Sequence, residues 1–258
     1  MRKYLRWYLP ILAGVLLLLA WVGIKAAFGI RNFVLPGPLL IARAAYHERR
    51  ALIHGGLVTM AGASMGLVLS AVVGFLMSVV MALSASFRLS LYPYILVLQM
   101  TPIVIFAPVI VIWLGPGLPA ITLITFLICF FPIVANTTQG LISVDRNMVD
   151  LFRMINADRV QEVVLLRVPF AMPYFLTGLR IAASIAMIGG TTGDIFAGDS
   201  AGGIGYLVLV YESSLQIPEL WAAGFVACLC GFVFVIVVLV LNWLLLRKWH
   251  DSIVPSDQ

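Results

Sequence analysis

The chain has 258 residues, 62% of them hydrophobic and 10% charged, with a formal net charge of +5 and a mean hydropathy of +1.09. That composition excludes an ordinary soluble domain, and unbroken apolar runs of about 20 residues exclude an outer-membrane barrel, whose short strands alternate in polarity. The modest positive charge is a poor match to a nucleic-acid binder and suits loop charge that orients helices in a bilayer.

In chain order, Arg2, Lys3 and Arg6 precede a first apolar run at 8–28. It is long enough to span and no small-residue cleavage site follows, so it reads as a retained, peripheral first helix rather than a signal peptide. Residues 31–56 carry Pro36, Pro38 and a short basic, helix-like patch at 43–50. Further spans are expected at 57–83, 91–114, 118–138, 170–197 and 221–246. The fold class is thus an all-α polytopic membrane protein with six transmembrane helices. It reads as a single transmembrane domain over 1–258, with its core at 55–246.

Within the third span, Gln99 and Thr101 stand just before Pro102, and Pro108 adds a second kink; a place beside a pathway and packing between helices are both open for these polar groups. The LGPG sequence at 114–117 is a tight turn with no room for a domain. Asn136, Thr137, Thr138 and Gln139 read as the wetted end of the fourth span.

The longest polar interruption follows, at 143–167 (SVDRNMVDLFRMINADRVQEVVLLR). Asp145 is placed to cap a short helix carrying Met148, Phe152 and Ile155 on one face. Asn156 tolerates the left-handed conformation that ends such a helix. Asp158 and Gln161 form a capping-box pattern for a second helix, which Pro169 is expected to stop before the fifth span. The acids Asp145, Asp150, Asp158 and Glu162 balance Arg146, Arg153, Arg159 and Arg167. A helix lying on lipid would carry net positive charge, so this helix-turn-helix is expected to dock a protein.

Asp194 is the only acid well inside a span, in GGTTGD at 189–194. An intramembrane charge faces a cavity or a partner, and Thr191, Thr192 and the glycines beside it allow close helix approach or local unwinding. A pathway role and a structural pairing are both open for Asp194. Arg180, about 21 Å earlier along the same helix, is out of its reach and is expected to snorkel or to bond loop carbonyls. Cys129, Cys228 and Cys230 read as core cysteines, and the scattered His47, His54 and His250 indicate no metal site. No catalytic constellation is present in the pattern.

Counting Lys and Arg with the N-terminus inside gives ten cytoplasmic residues (Arg2, Lys3, Arg6, Arg88, Arg146, Arg153, Arg159, Arg167, Arg247, Lys248) against five outside (Lys25, Arg31, Arg43, Arg49, Arg50). Both termini, and the 143–167 hairpin, are therefore expected in the cytoplasm.

The hairpin resembles the signature loop of the permease subunits of type I ABC importers: Glu-Ala-Ala, three residues, Gly, then about a dozen residues to a proline. Here the corresponding positions are Asp150, Leu151, Phe152, Asn156 and Pro169, so the acid and the turn residue are replaced by near equivalents and the two alanines by bulkier groups. Residues 169–180 (PFAMPYFLTGLR), Thr101-Pro102, Pro108, the WLGPG turn at 113–117, GGIGY at 202–206 and the stretch 54–74 are similar to the branch of that family for nitrate, sulfonate, taurine and thiamine precursors. The similarity spans roughly 35–246.

The resemblance implies a partner set and a mechanism. A second copy of the chain would complete the pathway, two cytoplasmic ABC ATPases would dock on the hairpins, and an external solute-binding protein would deliver a small solute. ATPase contacts would fall on Met148, Asp150, Leu151, Phe152, Arg153, Ile155, Asn156, Ala157 and Asp158, and the pathway on Gln99, Thr101, Thr191, Thr192 and Asp194. ATP and Mg would sit on the partner ATPase, with no cofactor in this chain, and the location would be a bacterial inner membrane. Independently, the three lysines Lys3, Lys25 and Lys248 are never followed by Ser or Thr, so the chain has no phosphate-binding P-loop of its own. The competing expectation is an ion-coupled secondary transporter or channel that uses Asp194.

Overall fold

The computed structural model describes residues 2–197 and 202–246; Arg247, Lys248 and His250 lie outside them. The described residues are helical, without strands. In order they form α1 (Arg2–Ala27), α2 (Pro38–His47), α3 (Arg49–Leu83), α4 (Ala85–Gln99), α5 (Ile103–Leu114), α6 (Leu118–Ile142) and α7 (Arg146–Met154). Then come the single turn α8 (Arg159–Gln161), a π-helical stretch (Glu162–Arg167), α9 (Val168–Ala197), α10 (Ile204–Ser213) and α11 (Ile217–Leu246).

Four stretches are long and apolar enough to cross a membrane: Arg49–Leu83, Leu118–Ile142, Arg159–Ala197 and Ile217–Leu241. The pair α4–α5 makes a fifth if counted as one span, but its halves meet at 99°. The third span expected at 91–114, with a kink at Pro102, is therefore broken outright rather than merely bent. Pro102 lacks an N–H and forces Thr101 out of helical geometry. The helix closes just before it with Met100 N–H to Val97 O and Thr101 N–H to Leu98 O.

Other expectations shift as well. The second span starts at Arg49 rather than 57, so the basic patch at 43–50 is divided, Arg43 lying in α2 and Arg49 and Arg50 in the first turn of α3. The fourth runs on to Ile142, and its supposed wetted end is largely core. Thr137 and Thr138 are buried, Thr137 Oγ1 donates to Ile133 O at 2.6 Å and Asn136 Nδ2 to Pro132 O at 2.8 Å. Thr137 and Asn136, satisfied by their own helix, need no water. Cys129 is buried, whereas Cys228 faces outward on α11.

Pro169 does not end the hairpin's second helix. Arg159–Ala197 is one continuous helical span, with Pro169 in the first turn of α9. The preceding turn is π-helical, ending with Val168 N–H on Val163 O. That wider turn leaves room for the pyrrolidine ring, and the missing proline N–H falls where the ladder is already changing register.

Helices α3, α6 and α9 form the centre. Helices in lipid gain little from apolar burial alone, so close van der Waals approach decides the packing. Gly62 and Gly66 of α3 and Gly189 and Gly193 of α9 supply it: a Cβ at Gly66 would lie 2.5 Å from Thr125 Cβ, and one at Gly193 would lie 2.8 Å from Ile121 Cα. Ser70 Oγ, 2.8 Å from Phe126 O, adds a polar link between α3 and α6. Outside this centre, α1 meets α11 through Trp21, whose ring lies 5.2 Å from Trp221 and 6.1 Å from Phe225. Most other described side chains of α1 are exposed. Only 11% of the most apolar stretch of α11 is buried, so lipid or another chain must cover the remainder.

Candidate functional site

Two constellations carry chemistry: the polar hairpin at 143–167 and the junction around Asp194. In the hairpin, Asp145 accepts from Asn147 N–H at 3.0 Å and starts α7. Val149, 7% exposed, is the side chain by which α7 anchors inward. After Met154 the chain reverses through Asn156, at φ +55°. Ala157 N–H bonds to Phe152 O and Asn156 N–H to Arg153 O, both at 3.0 Å. This is the Schellman closure, with asparagine taking the place glycine commonly fills.

The expected capping box is present in both directions. Gln161 N–H donates to Asp158 Oδ1 at 2.7 Å, and Asp158 N–H to Gln161 Oε1 at 2.9 Å. Arg167 then ties the hairpin to the bundle: its Nε donates to Glu162 Oε1 at 2.7 Å and its Nη1 to Leu141 O at 3.0 Å.

Anchored this way, α7 presents Met148, Leu151, Met154 (80% exposed) and Ile155 (68%) outward. Asp150 and Arg153 are exposed and paired at 3.4 Å. Phe152 and Ala157 are half-buried, and Asn156 and Asp158 are exposed on the turn. Periodicity pointed to Met148, Phe152 and Ile155 as one face; Met148 and Ile155 are outward, but Phe152 is half-buried and Leu151 and Met154 stand out in its place. It pointed neither to Val149, on the adjacent face, nor to Arg167 as the anchor. A cation closing a polar segment next to a helix's free carbonyls was the available signal for the latter.

At the junction, Asp194 is 1% exposed and belongs to three helices at once. Thr59 of α3 hydrogen-bonds to its Oδ2, sharing its hydroxyl proton with Gly55 O at 2.9 Å. Ile204 N–H donates to Thr59 Oγ1 at 2.9 Å, and Gly205 N–H reaches Asp194 Oδ2 at 3.4 Å. The carboxylate thus sits at the amino end of α10, where free N–H groups and the helix dipole favour negative charge. Thr191 and Thr192 are half-buried beside it, Thr191 bonding back to Met187 O at 2.8 Å. Gln99 is exposed and Thr101 half-buried at the α4–α5 break; neither hydrogen-bonds to Asp194. Arg180 is exposed on α9. Thr59 was invisible to sequence reasoning, because one threonine in a small-residue helix carries no signal of its partner.

Long apolar helices packed through glycines, with one capped hairpin holding an apolar face clear of the bundle, define a polytopic helical membrane protein. Residues 66–251 match the family of binding-protein-dependent transport system inner membrane components, and the chain belongs to it. It is similar to the formylaminopyrimidine transport permease protein ThiX of Halalkalibacterium halodurans, 32% identical over 95% of this chain and 94% of that protein. The riboflavin transport system permease protein RibX of Chloroflexus aurantiacus is 27% identical over 92% of this chain and 88% of its own length. The putative aliphatic sulfonates transport permease protein SsuC of Bacillus subtilis is 24% identical over 97% and 91%. The chain is accordingly a permease subunit of a type I ABC importer, a transport component rather than an enzyme.

Proposed function

We propose that this permease carries a small pyrimidine- or vitamin-like solute into the cytoplasm, driven by two ATPases docked on the α7 hairpins of a permease homodimer. The observation that carries the coupling role is the outward apolar stripe Met148, Leu151 and Ile155 on a helix anchored from behind by Val149, in a hairpin whose far end Arg167 ties to α6. An exposed stripe on a rigid, capped element suits helix-in-groove docking. Asp150, Phe152, Arg153, Asn156, Ala157 and Asp158 shape the rest of that contact. The solute class rests on the formylaminopyrimidine and riboflavin transport named for two relatives; sulfonate, taurine or nitrate is the weaker assignment.

In this reading α1, α3, the broken α4–α5 pair, α6, α9 and α11 make six crossings with both termini cytoplasmic, and ATP and Mg bind the partner ATPase. The α4–α5 break with Gln99 and Thr101, and the α9 segment Thr191, Thr192 and Asp194, line or brace the moving pathway. Substrate reaches it from an external solute-binding protein. Reconstituted vesicles containing permease, ATPase and binding protein should accumulate solute only with ATP inside. Uptake that follows a proton gradient without ATP would overturn this reading and favour ion coupling through Asp194.

A further inference from the structure

A cleft of about 290 Å³ opens where α3 ends, α4 begins and the hairpin folds back. It gathers Arg88, Arg153, Arg159 and Arg167, with Glu162 as the one carboxylate among its lining residues. Glu162 is engaged by Arg167, and Arg153 pairs with Asp150. Arg88 and Arg159 form no ion pair among the described residues. Arg88 and Arg159 are thus left as two uncompensated guanidiniums at one small cleft, an arrangement that favours an anion between them. The first turn of α4, starting at Ala85, adds the partial positive charge of a helix start.

The walls show what kind of anion. Leu83 and Ile142, at the ends of α3 and α6, line the cleft with Val163. It therefore lies level with the ends of two apolar spans, and its lining combines guanidiniums with apolar side chains. Arg153 and the buried Val149 are four apart and share one face of α7, whereas Met148, Leu151 and Ile155 lie on another. The cleft thus lies behind the Met148, Leu151 and Ile155 stripe and meets the exposed docking surface only through Arg153.

We propose that this cleft binds a phosphate-bearing anion, with the unpaired guanidiniums of Arg88 and Arg159 as its main seat. Guanidinium forks match phosphate oxygens in pairs. The source is either an anionic phospholipid headgroup, whose chains would follow the apolar side chains of the lining, or free phosphate.

The test uses the full-length chain in nanodiscs of mixed phosphatidylglycerol and phosphatidylcholine, with retained lipid counted by native mass spectrometry. Phosphatidylglycerol should be retained about tenfold over its share in the disc, and Arg88→Gln/Arg159→Gln should remove most of that enrichment. In discs of phosphatidylcholine alone, inorganic phosphate that raises the unfolding temperature of the wild type but not of the double variant would support the same site with a soluble ligand. Equal retention of both lipids together with no response to phosphate overturns the proposal. So does a double variant that keeps both anion responses yet no longer captures the ATPase, which would make the cleft a protein dock. Should the double variant fail to fold, the wild-type arms decide alone, since they already require enrichment or a phosphate response.

Discussion

Arg167 reaches back 26 positions to the carbonyl of Leu141 while its Nε holds Glu162 at 2.7 Å. A single guanidinium thereby joins the end of α6 to the π-helical turn that begins the next span. Both side chains are largely buried, at 19% and 14% exposure. Arg167→Ala would leave Glu162 and a helix-end carbonyl unpaired, costing roughly 2–4 kcal/mol at this corner. Hydrogen–deuterium exchange across 146–157 should accelerate, with the centres of α3, α6 and α9 unaffected. Arg167→Lys should rescue only in part, because one ammonium cannot reproduce the two directions of the fork. Unchanged exchange in the alanine variant would remove Arg167 from the anchoring role.

The outward face of α7 makes a second, separable prediction. The Asp150–Arg153 pair is two-thirds exposed on both sides, so it adds little to stability, about 0–1 kcal/mol. Replacing both with alanine should leave the unfolding temperature nearly unchanged yet uncouple ATP hydrolysis from uptake. Ile155→Glu should act more strongly, reducing ATPase co-purification about tenfold or more, since a charge would then be buried in an apolar contact. Intact coupling in both variants would move the docking surface elsewhere.

The turn gives a third. Asn156 has a φ of +55°, a region where a β-branched residue is strained by about 1–2 kcal/mol. Asn156→Gly should be neutral for stability and for ATPase capture. Asn156→Val should weaken both, and a stable, coupled valine variant would show that the reversal is not needed as built.

The turn and the caps around it are features the sequence states locally, whereas the Arg167–Leu141 tie spans 26 positions and is not. Asp145, Asn156 and the Asp158–Gln161 box act within a few residues of themselves, so their caps could be read directly. The apolar runs were legible for the same reason: a span is a property of one segment. What depends on distant partners was not legible. Thr59 and Asp194 are 135 positions apart, and Val149 becomes an anchor only because the bundle lies behind it. Pro169 misled because a proline's effect depends on whether the preceding turn is α or π, which no local residue announces. A kink at Pro102 was legible, but not that the two halves would meet at 99°.

The Asp194 junction supplies the last prediction. A Cβ added to Gly203 would lie 2.1 Å from Asp194 Oδ2, too close for either to stay in place. Gly203→Ala should therefore displace the carboxylate, releasing Thr59 and the amino end of α10 together. The loss is about 2–4 kcal/mol, the range for breaking a buried polar network. Asp194→Ser is shorter, keeps an oxygen to meet Thr59, and should cost less. Residues in contact are not additive, so Gly203→Ala in the Asp194→Ser background should cost less than the sum of the two single changes. Thermal unfolding of the four proteins in one detergent measures this directly. Strict additivity would mean that the glycine and the carboxylate do not constrain one another, and that α10 is seated by its apolar contacts with α11 alone.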